Sequence, residues 1–284
     1  MKIYFITTDH FLDRLWFKDD EDFRTAMNYI AVVSIITGVR VLAFILMSNH
    51  IHLVLYCYDS DAKLFIDTFK KLYGAYFAGK YKVGNYFRKL GVDIQIVPGE
   101  DEAPEKVIAY VQMNCVAANI CSSAFFYPWG TGACFFNEAP EIGNPVSGLS
   151  RRAQIRMTRS NVKLPEYFRY GKGNYILPDS YVNIRGVEAL FKSAKRYIYF
   201  LNNSSKAKKV LDNKAMPSFS DQSILASAKD LCRSLFKEIS PVNLNKKQMS
   251  DLIKELKYRF SADVKQLSRV LNLSYEEAST LLDL

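Results

Sequence analysis

Cysteine is scarce in this chain: five residues, Cys57, Cys115, Cys121, Cys134 and Cys232, with no C-x-x-C pair among them. An odd, widely spaced set supports neither a disulfide framework nor a zinc ribbon, and it fits a reducing cytoplasm. Glycine (13) and proline (9) are also few in 284 residues, which excludes collagen-like and low-complexity classes. No charge-free apolar run reaches the roughly 18 residues of a membrane span. The run from Met1 to Asp9 is too short for a signal peptide and has charges on both sides. Histidine occurs only three times, as His10, His50 and His52.

What is present is apolar material, 49% of the chain with 14% aromatic, enough to bury real cores. The formal charge of +9 favours a polyanionic partner, because cations that neutralise phosphates release counterions. Charge alone does not establish nucleic acid as that partner.

Lys2 to Thr8 is β-branched and aromatic and predicts a strand. Asp19 to Asp22 places acids where a helix start favours them, and helical spacing continues through Ile36 until Gly38 stops it. Val39 to Met47 and His52 to Tyr58 read as two strands joined by a tight turn at Ser48-Asn49, or as one long bent strand. Lys63 to Lys82 predicts an amphipathic helix and Asp93 to Val97 a fourth strand. Glu102 to Asn119 follows as a helix, with Pro104 in its first turn. This order is that of an α+β domain with a ferredoxin-like antiparallel sheet backed by helices.

That domain is expected to span residues 1–138, followed by a basic linker or extension over 139–185 and a mainly helical C-terminal region over 186–284. Asn202 to Lys209 is polar and reads as a loop. Three short helices, Lys246 to Phe260, Val264 to Leu271 and Tyr275 to Leu282, are spaced like a helix-turn-helix unit at 246–284, with Ser274 capping the last. An ordinary helical hairpin has the same spacing.

On a strand His50 and His52 project from one face and Ile51 from the other, so two imidazoles supply two vertices of a metal site. Two hydrogen-bonding strand histidines would give the same pattern. The surrounding Met47-Ser48-Asn49-His50-Ile51-His52 resembles the Met-x-Asn-His-x-His form of the REP-associated tyrosine transposases, a branch of the single-tyrosine HUH transposases. Phe17 to Phe23 is similar to that family's acidic stretch before the first helix, and Tyr127-Pro128-Trp129 to its aromatic segment. The resemblance covers residues 1 to 137.

The resemblance implies a nucleophilic tyrosine on the helix after the fourth strand, and Ile108 to Asn114 is similar to that segment with Tyr110 as the nucleophile. It also implies a polar third metal ligand one turn on, Asn114, where the insertion-sequence type carries Gln; Gln112 points elsewhere. The divalent metal, Mg or Mn, would be held by His50, His52 and Asn114. Such a protein cleaves and rejoins single-stranded or hairpin DNA through a 5'-phosphotyrosine link. The alternative is a domesticated relative that binds such DNA without cutting it. A homodimer is admitted, and no membrane partner is expected.

Tyr73, Tyr76, Tyr81 and Tyr86 compete with Tyr110, each being a packing residue by default. Lys63, Lys70, Lys71, Lys80, Lys82, Arg88 and Lys89, interleaved with Tyr73, Tyr76, Phe77, Tyr81 and Tyr86, form a candidate DNA surface of charges for phosphates and rings for bases. A solvated helix face explains the same run. Arg151 and Arg152, with Arg156 and Arg159, form a second patch or a charged linker. His10 reads as structural and the cysteines as packing residues.

Overall fold

The computed structural model describes residues 1–9, 14–84, 86–205 and 219–284, without the side chains of Tyr86 and Arg88. His10, residues 206–209 of the expected polar loop, and the roles assigned to the Tyr86 and Arg88 side chains lie outside that description.

The protein is α+β. Strands β1 (Lys2–Thr8), β2 (Arg40–Met47), β3 (His50–Cys57) and β4 (Val92–Val97) form one antiparallel sheet in the order β2-β3-β1-β4. Helix α1 (Asp20–Thr37) connects β1 to β2, and α2 (Asp59–Tyr81) connects β3 to β4. The Asp19 side chain caps α1 by accepting from the Asp22 amide, and Gly38 ends the helix at φ 66°, a conformation costly for other residues. Ser48-Asn49 is a tight turn between two separate strands, since Met47 pairs with His50. Helix α2 starts at Asp59, earlier than the apolar pattern predicts, because Asp59 and Asp61 fill its first turn. The Tyr4 hydroxyl donates to Asp59 and anchors that start.

Alternation along β1 sorts the two faces. Tyr4 and Ile6 point to the α2 side and are buried, while Phe5 and Thr7 point to the opposite face. Helix α3 (Ala103–Gln112) covers that opposite face, and the short α4 (Asn114–Ala117) continues it past a break at Met113. The free edge of β2 is closed by the 129–131 segment, with the Leu46 amide donating to the Trp129 carbonyl at 2.8 Å and Thr131 to Phe44 at 3.1 Å. Gly130 lets the two backbones approach closely: a Cβ would sit a tight 3.2 Å from the Phe44 carbonyl oxygen.

Residues 139–185 are not a detached linker. Val146, Leu164, Phe168, Ile176, Tyr181 and Val182 are buried in the same core as the sheet, and Asn183 donates its amide to the Val41 carbonyl at 2.8 Å. Its prolines and glycines turn the chain between short pieces such as α5 (Arg151–Thr158), so singly spaced core residues leave no periodic signal. Helices α6 (Ile184–Phe191) and α7 (Ala194–Asn202) complete this core, which extends to Leu201.

A second core gathers Ile224, Leu231, Leu252, Ile253, Leu256, Leu267 and Leu281. It is built by α8 (Asp221–Leu231), α9 (Lys246–Phe260), α10 (Val264–Leu271) and α11 (Tyr275–Asp283). Capping boxes at Asn245/Gln248 and Ser274/Glu277 start α9 and α11.

Candidate metal and nucleophile site

His50 and His52 lie side by side on the α3 face of β3, both buried, with ring centroids 4.8 Å apart and planes at 82°. His50 Nδ1 is 2.9 Å from the Asn49 side-chain oxygen. A carboxamide oxygen only accepts, so Nδ1 carries the proton and the lone pair of the neutral ring falls on Nε2, the tautomer a second partner fixes for a metal-binding imidazole.

Tyr110 reaches this pair from α3. Its ring meets His52 edge to face, centroids 5.9 Å apart, and meets Phe5 likewise at 5.9 Å. Phe5 in turn stacks on His52 at 5.6 Å and 21°. The sequence reading missed Phe5, although the alternation of β1 carries the signal: Thr7 pairs with His52, so Phe5 shares its face. Tyr110 is half-buried, and its ring lies edge-on against the Phe5–His52 stack.

Three of the competing tyrosines, Tyr73, Tyr76 and Tyr81, are committed elsewhere. Tyr73 is fully buried and donates to the Trp16 carbonyl, while Tyr76 and Tyr81 donate to Asp22 at 2.8 and 2.7 Å. Burial, then the Asp22 charge, raises the pKa of all three above the ordinary phenol value.

Asn114 is buried beyond the break at Met113 rather than on one continuous helix with Tyr110. Its amide nitrogen donates to the carbonyls of Tyr110 (2.9 Å) and Val111 (3.2 Å), so the side chain replaces backbone bonds at the break. The carboxamide oxygen, the end a cation would take, is the other half of the group. Gln112 is buried and donates to Thr131 Oγ1 at 2.6 Å, a core role consistent with its pointing elsewhere. Among the described residues no three His, Cys, Asp or Glu side chains gather as a metal group, and a set of two imidazoles plus one amide is of a different composition.

The basic run on α2 divides. Lys70 is buried and donates to the Leu90 carbonyl at 2.6 Å, and burial lowers its pKa. Lys80 is bound by Asp19, Glu21 and Asp22 at 2.8, 3.0 and 2.9 Å. Lys63 pairs with Asp67 on the surface at 2.8 Å. Lys71, Lys82 and Lys89 are exposed. The interleaved rings of Tyr73, Tyr76 and Phe77 are core residues, not stacking platforms, because the α2 face that carries them packs against α1. On α5, Arg152 is exposed and Arg151 holds the carbonyls of Asn161 and Val162, while Arg159 pairs with Glu21 at 2.8 Å.

In the C-terminal core the last helix, α11, exposes Glu276 and Glu277 at its start and contains no cation. Lys246, Lys247, Lys254 and Lys257 are exposed on α9 instead.

No protein-family model matches the chain, and no curated protein or solved structure matches it. Among the described residues no helix is long and apolar enough to cross a membrane.

Proposed function

We propose that the protein is a metal-dependent, tyrosine-using DNA strand transferase of the single-tyrosine HUH type, acting on single-stranded or hairpin DNA. The observation that carries this reading is the meeting of His50, His52 and Tyr110: two imidazoles on one strand face with a phenol edge-on to the second ring. The order β-α-β-β-α-β with strands arranged β2-β3-β1-β4 fits the ferredoxin-like sheet expected of that type. The segments likened to the family's acidic and aromatic stretches also touch, with Phe23 stacked on Trp129 at 4.8 Å and 6°.

A phenol of pKa about 10 is a weak nucleophile at neutral pH and needs a positioned, polarised phosphodiester. His50 and His52, with the Asn114 oxygen as third donor, would hold Mg or Mn, which when bound polarises a nonbridging phosphate oxygen. The Tyr110 oxygen forms a bond to phosphorus as the bond to the 3' oxygen breaks. The phenolic proton is given up and the departing oxygen takes one, leaving a 5'-phosphotyrosine and a free 3'-OH. Among the described residues, the exposed Lys71, Lys82, Lys89, Arg152 and Arg156 and the lysines of α9 are cations available to meet phosphates.

The test is incubation of the full chain with a labelled hairpin oligonucleotide and Mn. A protein-DNA adduct that survives denaturation is expected; binding without any adduct would favour the non-cleaving alternative.

A further inference from the structure

We propose that Asp221 is a positioning residue through which the C-terminal helices set the turn that carries His50. Asp221 opens α8, is 4% exposed, and its carboxylate accepts from side chains on other elements than its own. Ser48 Oγ donates to Oδ2 at 2.5 Å; Gln266 Nε2 donates to Oδ1 at 2.9 Å; Arg269 donates to both oxygens at 3.2 and 3.3 Å. Gln266 and Arg269 belong to α10 in the second core, whereas Ser48 begins the two-residue turn between β2 and β3.

That turn is gripped from a second side. The Ser48 carbonyl accepts from the amides of Trp16 (2.8 Å) and Phe17 (3.2 Å), and the Phe17 carbonyl accepts from Gln222, the neighbour of Asp221, at 2.7 Å. The next turn residue, Asn49, orients His50 through Nδ1. Hydrogen bonds thus tie α10 to Asp221 and Asp221 to Ser48, the peptide bond carries the link to Asn49, and the Asn49 side chain meets the imidazole. A buried ion pair contributes little net stability over apolar contact but fixes geometry, and geometry is what a two-residue turn before a ligand requires. The C-terminal region is therefore a determinant of the histidine pair and not an independent appendage.

The consequence for metal binding rests on the function proposed above; the positioning of His50 does not. With three histidines in the chain, the imidazole Cε1–H signals of the full-length protein can be followed individually by NMR. Ser48→Ala and Asp221→Asn should each shift the His50 and His52 signals. Ser250→Ala should not, because that hydroxyl is bonded to the Leu281 carbonyl inside the second core and destabilises the same helices without touching the link. Signals unmoved in Ser48→Ala and Asp221→Asn, or moved equally by Ser250→Ala, overturn the proposal. In the same samples Mn should broaden the wild-type signals, and about 10-fold more Mn should be needed in the two link variants, the usual size of an outer-shell effect. Wild-type signals that Mn leaves sharp would remove the metal reading, while the shift comparison still decides the role of Asp221.

Discussion

His52 and Tyr110 meet edge to face at 5.9 Å although they come from a central strand and from the helix covering it, and Phe5 touches both rings. The contact joins the strand that carries the imidazoles to the helix that carries the phenol. It makes separate roles for the two elements experimentally separable.

On the proposed function, His50→Ala and His52→Ala should each weaken Mn binding by more than about 100-fold, since each would remove a proposed direct ligand. Titration followed by the EPR signal of free Mn measures this. Equal affinity in both variants would reduce the pair to hydrogen-bonding strand residues.

Lys80→Met should destabilise the protein by about 2 kcal/mol at pH 7, less than the roughly 3–5 kcal/mol of a fully buried broken pair, because this ammonium keeps some solvent access. Burial disfavours the Asp19 carboxylate, but the Lys80 ammonium, the Asp22 amide and the Tyr81 hydroxyl together outweigh it and hold the pKa below the ordinary value. A depressed folded pKa means stability that is present above the unfolded value of about 3.9 and lost as pH falls through the folded one. Urea midpoints should therefore show the Lys80→Met cost shrinking below about pH 4.

Lys71→Ala and Lys89→Ala should each lower the salt dependence of hairpin binding by about one released counterion with unchanged melting temperature. Lys70→Met should do the reverse, costing about 1 to 2 kcal/mol by leaving the buried Leu90 carbonyl without its donor and leaving the salt slope as it was. Affinity against salt, with a thermal melt beside it, distinguishes the three.

How much of this was legible in the sequence varies by the physics involved. The α9, α10 and α11 boundaries could be read because Asn245, Asp263 and Ser274 each cap a periodic apolar run. The shared face of His50 and His52 followed from strand geometry alone. The break at Met113 did not show, because spacing assumes a continuous helix and cannot see that the Asn114 amide satisfies the Tyr110 and Val111 carbonyls. Lys70 and Lys80 looked like free cations because a count along one helix omits partners from distant segments, Leu90 and the acids around α1. The core residues of 139–185 were hidden by turn-rich composition. Asp221 was invisible for the same reason as Lys80: its partners lie on other elements.

The most direct measurement is the identity of the residue bearing DNA after reaction. The adduct formed with a hairpin oligonucleotide and Mn is digested with nuclease and protease, and the modified peptide is sequenced by mass spectrometry. The account predicts a phosphonucleotide on Tyr110, absent from Tyr110→Phe, whose fold is preserved because the ring contacts to His52 and Phe5 remain. A modified peptide centred on another tyrosine, or an undiminished adduct in Tyr110→Phe, would contradict it.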